Sequence, residues 1–474
     1  MRLYFMGICG TAMGHAALLA REFGHEVVGA DSGVYPPMSE VLREAGIKVF
    51  EGYDHGRLGA LRPELVVVGN VITRGNDEME WLLDTRALPY VSLPAFLSET
   101  VLRWRRNLVI TGTHGKTTTA TLAAFLLAST GVEPGWLIGG VPRDLPSGAT
   151  TGRPEAPFVI EGDEYDSAFF DKRSKFIHYL PWLLTINNLE FDHADIFRDL
   201  TDVQRAFTHL LKVVPRNGFV LLNGDDPNIA ELPPAPWTTT LRVGVGENCD
   251  LRIMNFSEDD RGARFDLVWL GQRWNTVSWG LSGLFNARNA AMAALAAGLA
   301  VDPRNPTHLP LSMLESFQGV RRRQEILRQD SHVMVVEDFG HHPTAIRETL
   351  EALRQRNPGR IILACFEPRS NTARTRVFQN DLPGALAQAD HVYIGPIHRG
   401  EKTPEAERLD LVAICAELNP TPGEAPKARH FATNQELLEA ALADSRNPDN
   451  RPCLAVFFSN GSFDGIIGEF VEQA

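Results

Sequence analysis

A loop rich in glycine and threonine at residues 112–118 carries the strongest sign of chemistry in this sequence. The segment VITGTHGKTTT places the loop between a strand-like run and a helix-like run. Glycines there let backbone N–H groups and a helix N-terminus face phosphate oxygens, while Lys116 would reach the β- and γ-phosphates and the Thr117 hydroxyl would bind Mg²⁺. Ile110 stands where a strict phosphate loop has glycine, so a glycine-rich turn capped by threonines is the alternative. The predicted phosphate-binding residues are Gly112, Thr113, His114, Gly115, Lys116, Thr117 and Thr118.

Two groups of acidic and histidine side chains follow strand-like runs in the same part of the chain. The first, in VIEGDEYDSAFF, includes Glu161, Asp163 and Glu164, and the second, in LLTINNLEFDHADIF, includes Asp192 and His193. Oxygen ligands suit Mg²⁺, which takes few protein ligands and keeps several waters. Each group alone would also fit a solvated loop or a helix cap. Their placement after strands, in the same unit as the phosphate loop, favours a metal–nucleotide site.

A second glycine-rich turn lies near the start of the chain. GICGTAMGHAALLA, from Gly7, follows a strand-like run and opens a helix, and Asp31 ends the next strand, where a dinucleotide-binding fold contacts a ribose hydroxyl. The spacing is G-x-x-G-x-x-x-G rather than G-x-G-x-x-G, and Cys9 stands where glycine would be expected. Three interpretations stay open: a site for NAD, a site for another nucleotide diphosphate, and a tight turn without a ligand.

Polar residues at two further positions are candidates for nucleotide contacts. Asp338 and His342 follow another strand, in VVEDFGHHPTAI, and would lie near a ribose and a nucleotide; alternatively His341 and His342 cap the next helix. Asn286 and Asn289 are three residues apart on one helical face, a pattern more typical of solvent-facing side chains. A base-binding role for them needs support beyond spacing.

The elements that must position these residues alternate along the chain. Strand-like runs, among them Asn107–Thr111, alternate with helical patterns such as Leu200–Val214 and Asn286–Leu299, and this predicts an α/β fold with parallel sheets. At roughly 150 residues per domain, the 474 residues predict about three domains. We place their bounds at 1–105, 106–319 and 320–474, because a new strand follows the basic segment Arg103–Arg106 and a third unit starts near Val320–Arg323.

Composition excludes several classes of protein. With 46 Lys and Arg against 59 Asp and Glu, the net charge of −13 disfavours nucleic acid as a partner. Five scattered cysteines without a CxxC pair suit a reducing compartment, so a cytoplasmic location is expected. The apolar stretch at Ala290–Val301 is shorter than the ~20 residues of a membrane helix, which predicts a buried helix and no membrane span. A signal peptide over residues 3–20 is the less favoured alternative, because glycines and a histidine interrupt the run.

Together these motifs resemble the Mur ligase family over essentially the whole chain. The resemblance rests on TGTHGKTT, the DE pair at Asp163–Glu164, NNLEFDHAD, the NxxN of Asn286 and Asn289, and EDFGHHP. It implies a Rossmann-like UDP-binding domain, a central P-loop ATPase domain and a C-terminal Rossmann-like domain that closes over ATP and binds the peptide. GICGTAMG, DSGVYPPMS, GNVITRGN, DEYDSAFFDKRSKF, EPRSNT and FFSNGSFDGI are similar to the branch that ligates L-Ala-γ-D-Glu-meso-diaminopimelate to UDP-N-acetylmuramate in murein recycling.

The resemblance also implies roles for individual residues. The catalytic set is Lys116, Glu164 and His193, and the Mg²⁺ ligands are Thr117, Glu164 and His193. ATP would further contact Asn286, Asn289, Arg322, Asp338 and His342. The UDP-sugar would contact Gly10, Thr11, Met13, Asp31, Ser32, Asn70, Thr73 and Arg74. Arg369, Ser370 and Asn371 would bind the peptide, although Arg369 would also fit a local ion pair with Glu367.

Two departures from the family pattern bear on the site. Phe285 stands where relatives commonly have histidine, and Thr208 stands where several carry a carbamylated lysine, so no carbamylation is predicted. The expected enzyme is an ATP-dependent amide ligase that uses ATP and Mg²⁺, acts on small-molecule substrates and passes through an acyl phosphate; the oligomeric state is left open. The alternatives are ligation of free L-alanine, a phosphate-loop NTPase switch that binds a protein partner, and an oxidoreductase.

Overall fold

The computed structural model describes residues 1–35, 38–419, 426–446 and 451–474. Pro36 and Pro37, which belong to the DSGVYPPMS string, lie outside the described residues. The predicted α/β architecture with parallel sheets is confirmed, and three main sheets follow one another along the chain. The exact domain bounds stay a prediction.

The N-terminal part of the chain forms a parallel sheet with strand order β3-β2-β1-β4-β5. Its strands are β1 (Arg2–Met6), β2 (Glu26–Asp31), β3 (Lys48–Glu51), β4 (Leu65–Val68) and β5 (Tyr90–Ser92). Its helices are α1 (Thr11–Glu22), α2 (Met38–Glu44), α3 (His55–Leu61), α4 (Asp77–Thr85) and α5 (Leu93–Leu97). The turns after β1, β2 and β4 meet at the carboxyl edge of this sheet, where an α/β fold binds its ligands.

The middle of the chain forms a larger sheet with order β17-β16-β15-β14-β13-β12-β6-β9-β7-β8. Strands β6 to β11 are β6 (Asn107–Thr111), β7 (Gly135–Leu137), β8 (Ala149–Thr150), β9 (Phe158–Glu161), β10 (Asp166–Ala168) and β11 (Asp171–Ser174). Strands β12 to β17 are β12 (Pro181–Ile186), β13 (Phe219–Asn223), β14 (Thr239–Gly244), β15 (Leu251–Asp259), β16 (Gly262–Trp269) and β17 (Gln272–Trp279). The helices are α6 (Lys116–Ser129), α7 (Leu200–Leu211), α8 (Pro227–Ala230) and α9 (Leu284–Val301). Strands β6, β9 and β12 pair in parallel at its centre, so the residues that follow them share one edge.

Helix α9 is the buried helix that the sequence predicts. It is the one helix in the described part of the chain that is long and apolar enough to cross a membrane, and 78% of it is buried inside the protein. Its alanines pack against α6 in the core of the middle sheet. Alanine side chains are small and allow the two helices to pack closely. Burial against α6 therefore accounts for the apolar composition of α9.

The C-terminal part of the chain forms a sheet with order β18-β19-β23-β20-β21-β22, parallel except for the edge strand β18. Its strands are β18 (Glu325–Gln329), β19 (Val333–Asp338), β20 (Ile361–Phe366), β21 (His391–Ile394), β22 (Ala428–His430) and β23 (Cys453–Phe458). Its helices are α10 (Pro343–Arg356), α11 (Leu382–Leu386), α12 (Leu411–Leu418), α13 (Asn434–Ser445) and α14 (Ile466–Gln473). Asp338 therefore ends a strand, β19, as the sequence predicts.

Two features join the N-terminal and middle sheets. The antiparallel hairpin β10–β11 leaves the middle sheet, and the ring of Phe170 beyond β10 packs edge-on against Tyr90 of β5 at 5.2 Å. In a second contact, His15 of α1 lies against Gly148, where a Cβ would collide with the imidazole. The backbone N–H of Thr151 also donates to the Glu22 carboxylate at 2.8 Å.

Candidate active site

The phosphate loop joins β6 to α6 as the sequence predicts. Gly112 and Gly115 have φ values of 128° and 77°, in the region that favours glycine. Gly115 also precedes the first residue of α6, and a Cβ at this position would collide with the side chain of Asn289. The glycines therefore set the loop conformation and allow α9 to approach it.

Lys116 lies inside a group of carboxylates. Its Nζ donates to the Gly112 carbonyl at 2.7 Å and to Glu164 Oε2 at 2.9 Å. Burial opposes the charge of Lys116, but the carboxylates of Glu164 and Asp163 outweigh it and raise the pKa of the lysine above its usual value. The ammonium group therefore stays charged, which a phosphate-binding role requires.

Glu164, Asp163 and His193 form one cluster, although they come from two separate segments. One ligand atom from each lies within 4.8 Å of the others, and His193 Nε2 is 3.2 Å from Glu164 Oε1. Burial alone would lower the pKa of His193, but Glu164 and Asp192 raise it above its usual value. A bound cation would replace that proton, because a metal ligand must be neutral imidazole. Two carboxylates and one imidazole fit Mg²⁺, with water filling the other positions.

Thr117 is the second residue of α6 and lies beside this cluster. Its hydroxyl donates to Glu161 Oε2 at 3.1 Å, and Glu161 also accepts the backbone N–H of Gly139 at 2.7 Å. Burial raises the pKa of Glu161 above its usual range. Glu161 ends β9 and belongs to the acidic group seen in the sequence, although no role was assigned to it there.

The two asparagines of α9 are buried beside the phosphate loop. Asn286 is 5% exposed and donates to the Ser282 carbonyl at 2.8 Å, while Asn289 is 7% exposed and accepts the Thr119 hydroxyl at 3.2 Å. The alternative that these residues face solvent is therefore wrong. Their contact with adenine stays a prediction.

Two arginines of the triplet at 321–323 make different contacts, which the sequence alone did not predict. Arg322 pairs with Glu337 at 2.6 Å and donates to the Ser459 carbonyl at 2.9 Å. Arg323 is half-buried, and its guanidinium lies 4.8 Å from the centroid of the Phe339 ring. Burial lowers the pKa of Arg323, against the opposing effect of Asp338 and Glu161. The assignment of Arg322 to ATP stays a prediction.

Asp338 holds the backbone around it with both carboxylate oxygens. Oδ2 accepts the N–H of Gln324 at 2.8 Å, and Oδ1 accepts the N–H of Gly340 at 2.7 Å. Burial raises the pKa of Asp338. The carboxylate thus fixes the turn after β19, beside the site.

His342 caps α10, as one of the two interpretations of the sequence expected. Its Nδ1 accepts the N–H of Thr344 at 3.2 Å, which leaves the proton on Nε2, 3.3 Å from the Phe191 carbonyl. Burial lowers the pKa of His342 to about 3, consistent with this neutral tautomer. Glu190 lies beside His342, accepts the Thr344 hydroxyl of α10 at 3.0 Å and lies 2.9 Å from His114 Nε2, so it links the C-terminal sheet to the phosphate loop.

Further contacts bring the C-terminal sheet against the loop after β12. His341 lies 3.4 Å from Asp192, and the Asn371 amide donates to Asp195 at 2.9 Å. Thr344 donates its hydroxyl to Glu190 at 3.0 Å. The second acidic group therefore faces both the phosphate loop and the C-terminal sheet.

The predicted UDP-sugar residues gather at the carboxyl edge of the first sheet. The Asp31 carboxylate accepts the N–H of Cys9 at 2.9 Å and that of Gly33 at 3.0 Å, so it ties the first two turns together. Thr11, Ser32 and Thr73 are exposed, as is Gly10, and Asn70 is half-buried. Arg74 forms a bidentate pair with Glu80 at 2.8 Å, and Met13 is 6% exposed in the core.

The predicted peptide loop follows β20. Arg369 pairs with Glu367 at 3.2 Å, which is the local alternative that the sequence left open, and its guanidinium lies over Gly461. Ser370 accepts the N–H of Ala373 at 3.0 Å. Contact of this loop with a peptide stays a prediction.

Comparison with known proteins places the chain in a family. Residues 2–105 match the Mur ligase family catalytic domain, 110–297 the Mur ligase middle domain, and 322–452 the Mur ligase glutamate ligase domain. The chain is 43% identical over 98% of its length to the UDP-N-acetylmuramate–L-alanyl-gamma-D-glutamyl-meso-2,6-diaminoheptandioate ligase of Escherichia coli (strain K12), covering 96% of that protein.

Solved structures agree with this placement. A murein peptide ligase from Psychrobacter arcticus 273-4 is 34% identical, with a TM-score of 0.71 over 100% of this chain and 98% of that one. The UDP-N-acetylmuramate-alanine ligase of Thermotoga maritima shares the fold at 22% identity, with a TM-score of 0.76 over 100% of this chain and 99% of that one. The phosphate loop, the acidic cluster and these matches lead to one conclusion: the chain belongs to the Mur ligase family.

Proposed function

We propose that this ATP-dependent amide-bond ligase joins L-Ala-γ-D-Glu-meso-diaminopimelate to the lactyl carboxylate of UDP-N-acetylmuramate, in murein recycling. The observation that carries the proposal is the convergence of Lys116, Glu164 and His193 from three segments onto one buried cluster beside the phosphate loop. The relative with 43% identity is named for ligation of this tripeptide, which favours it over free L-alanine.

In the first chemical step, the lactyl carboxylate attacks the γ-phosphate of ATP, so two negatively charged groups must meet. The ammonium of Lys116 and the N–H groups of the loop and of the α6 N-terminus offset this repulsion and align the phosphate. Mg²⁺, bound through Glu164, His193 and Thr117, would neutralise further phosphate charge. The products of this step are ADP and an acyl phosphate.

In the second step, the α-amine of the L-alanyl residue of the tripeptide attacks the acyl carbon, and phosphate leaves. The acyl phosphate hydrolyses in water, so the site must be closed during this step. The Thr344 hydroxyl of α10 donates to Glu190, and the His342 ring lies 4.6 Å from the ring of His114, so the start of α10 packs against the phosphate loop. We assign closure over ATP to this part of the C-terminal domain, and peptide binding to Arg369, Ser370 and Asn371.

The remaining assignments belong to the same proposal. ATP and Mg²⁺ are the cofactors, UDP-N-acetylmuramate and the tripeptide are the partners, and the enzyme acts in the cytoplasm. Asn286, Asn289, Arg322, Asp338 and His342 contact ATP. The turns that carry Gly10, Asp31 and Asn70 bind the UDP-sugar. The domains meet near residues 105 and 320.

A product assay tests the proposal. The purified chain is incubated with ATP, Mg²⁺ and UDP-N-acetylmuramate, together with the tripeptide, with L-alanine or with no amine, and the products are identified by mass spectrometry. We expect the tripeptide adduct with one ADP and one phosphate per product. An adduct with L-alanine only would favour the alanine ligase. Phosphate release without any UDP-sugar product would favour the NTPase switch.

A further inference from the structure

Lys175 lies beside the metal-binding cluster and has no place in the reaction as described so far. It follows β11, and its Nζ is 2.6 Å from Asp163 Oδ2. Its side chain is 19% exposed, and the ammonium lies 5.5 Å from the ring centroid of Tyr165. Together with Lys116, it lowers the pKa of Asp163 well below its usual range, against the effect of burial. Lys175 is therefore a second cation at the cluster.

The two lysines use their N–H donors differently. The ammonium of Lys116 contacts the Gly112 carbonyl and both oxygens of Glu164. Among the described residues, Lys175 Nζ has one hydrogen-bond acceptor, Asp163. An ammonium group carries three donors, so Lys175 can hold Asp163 and still bind an oxygen of a second anion.

The hairpin that precedes Lys175 reaches towards the N-terminal sheet. The base of the hairpin carries Asp163 and Glu164, and Phe170 at its tip packs on Tyr90 of β5. Phe176, next to Lys175, is buried with Phe96 of α5 in the core shared by the two domains. Lys175 thus lies between the phosphate loop and the domain to which we assign the UDP-sugar.

We infer that Lys175 binds the lactyl carboxylate of the UDP-sugar and so selects the acceptor by its charge. The inference rests on the proposed function. A carboxylate that approaches the γ-phosphate must pass Asp163 and Glu164, which repel it unless a nearby cation compensates. Lys116 serves the phosphate, whereas Lys175 follows the hairpin that contacts the N-terminal sheet and has N–H donors that Asp163 does not use. The competing explanation is that Lys175 only balances the charge of Asp163.

A pair of ligands separates these explanations. UDP-N-acetylmuramate and UDP-N-acetylglucosamine differ by the lactyl ether, so a residue that binds the lactyl carboxylate affects only the first. Their dissociation constants are measured by calorimetry with Mg²⁺ and a non-hydrolysable ATP analogue present. The proteins are wild type, Lys175→Gln, Lys175→Arg and the control Lys172→Gln. Lys172 is a matched control because it lies in the same hairpin and pairs with Asp166, but its side chain is 70% exposed.

We expect wild type to bind UDP-N-acetylmuramate more tightly than UDP-N-acetylglucosamine. Lys175→Gln should weaken binding of the former by about ten- to hundredfold, the loss typical of one charged hydrogen bond, and leave the latter unchanged. Lys175→Arg should recover part of the loss, and Lys172→Gln should change neither constant. In turnover, the KM for UDP-N-acetylmuramate should rise in Lys175→Gln while the KM for ATP stays constant.

Several outcomes would overturn the inference. Equal weakening for both ligands, or a parallel rise in the KM for ATP, would mean that Lys175 supports the cluster rather than the acceptor. Lack of any preference in wild type would also exclude a lactyl contact, even where the product assay succeeds. Failure of wild type to form the tripeptide adduct is a separate result, since it overturns the proposed function and the inference together.

Discussion

Two buried ion pairs of similar geometry lie after parallel strands in different parts of the molecule. Lys116 is 2.9 Å from Glu164 in the middle of the chain, and Arg369 is 3.2 Å from Glu367 near the C-terminus. The glutamates are 3% and 1% exposed, respectively. By distance and burial alone, both pairs would be equally good candidates for a reaction centre.

Their surroundings differ. Lys116 and Glu164 are 48 residues apart in sequence, and the same carboxylate also contacts His193, beside Asp163. Arg369 and Glu367 are two residues apart, and the carboxylate accepts the Ser459 hydroxyl as well. A buried ion pair is weak evidence of function, because it also occurs where a loop is only held in place. Convergence of several ionisable groups from distant segments is the stronger sign.

The largest expected effect is at the central pair. Lys116→Met should reduce ligation by about a thousandfold or more, since it removes a fixed charge from the transferring phosphate. It should also lower the stability of the fold, because Glu164 loses its cation while buried. Thermal unfolding of Lys116→Met and of the double variant with Glu164→Gln measures this: the double variant should recover stability but not activity. Near wild-type ligation by Lys116→Met would refute the assignment of the loop.

Substitution of Arg369 in the C-terminal pair should change the KM for one substrate only, the tripeptide. Arg369→Ala should raise the KM for the tripeptide by about ten- to hundredfold, as expected for one charge-assisted contact to a peptide carboxylate, and leave the KM for ATP and UDP-sugar unchanged. Arg376→Ala is the control, since Arg376 is 53% exposed in the same domain. Equal changes for all three substrates, or a loss of stability alone, would make the pair purely structural.

The proposed metal ligands give a third comparison. His193→Ala should raise the Mg²⁺ concentration for half-maximal activity by about tenfold, since the cation loses one ligand. His308→Ala is the control, because His308 also contacts a carboxylate, Asp302, but is 63% exposed away from the cluster. Titration of activity with Mg²⁺ gives both values. An unchanged Mg²⁺ requirement in His193→Ala would remove this residue from the metal site.

The smallest expected effect is on the pH dependence of stability, and it arises from the buried, neutral side chain of His342. The folded-state pKa of His342 is lowered to about 3, below its usual 6.5, so the unfolded chain binds more protons and stability falls as pH drops from about 6.5 towards 3. His342→Asn can still cap α10 and should remove up to about 1.4 kcal/mol per pH unit of this dependence. Urea unfolding between pH 6.5 and 5 tests it, with the exposed His430→Asn as control. Equal slopes for wild type and His342→Asn would contradict it.

Much of the fold and part of the site could be predicted because the signals are local. Alternating strands and helices gave the parallel sheets, and residues placed after strands necessarily share an edge. The pairing of Arg322 with Glu337 was not predictable, since the two residues are 15 positions apart and meet only when β18 pairs with β19. Lys175 was missed for a related reason: its place at the cluster depends on how the hairpin before it folds back.

The contact of His15 with Gly148 has a mechanical consequence. Helix α1 begins at the first glycine-rich turn, and one turn later His15 is seated against the middle sheet, with the Glu22 contact to Thr151 at the far end. Helix α1 therefore contacts the middle part of the chain at two points along its length. We therefore expect the distance between the first glycine-rich turn and the phosphate loop to stay constant. A UDP-sugar that binds at the first and reacts at the second must match this distance in length. We therefore expect domain rotation during turnover to involve the C-terminal sheet, which meets the phosphate loop through contacts such as the hydrogen bond of Thr344 to Glu190.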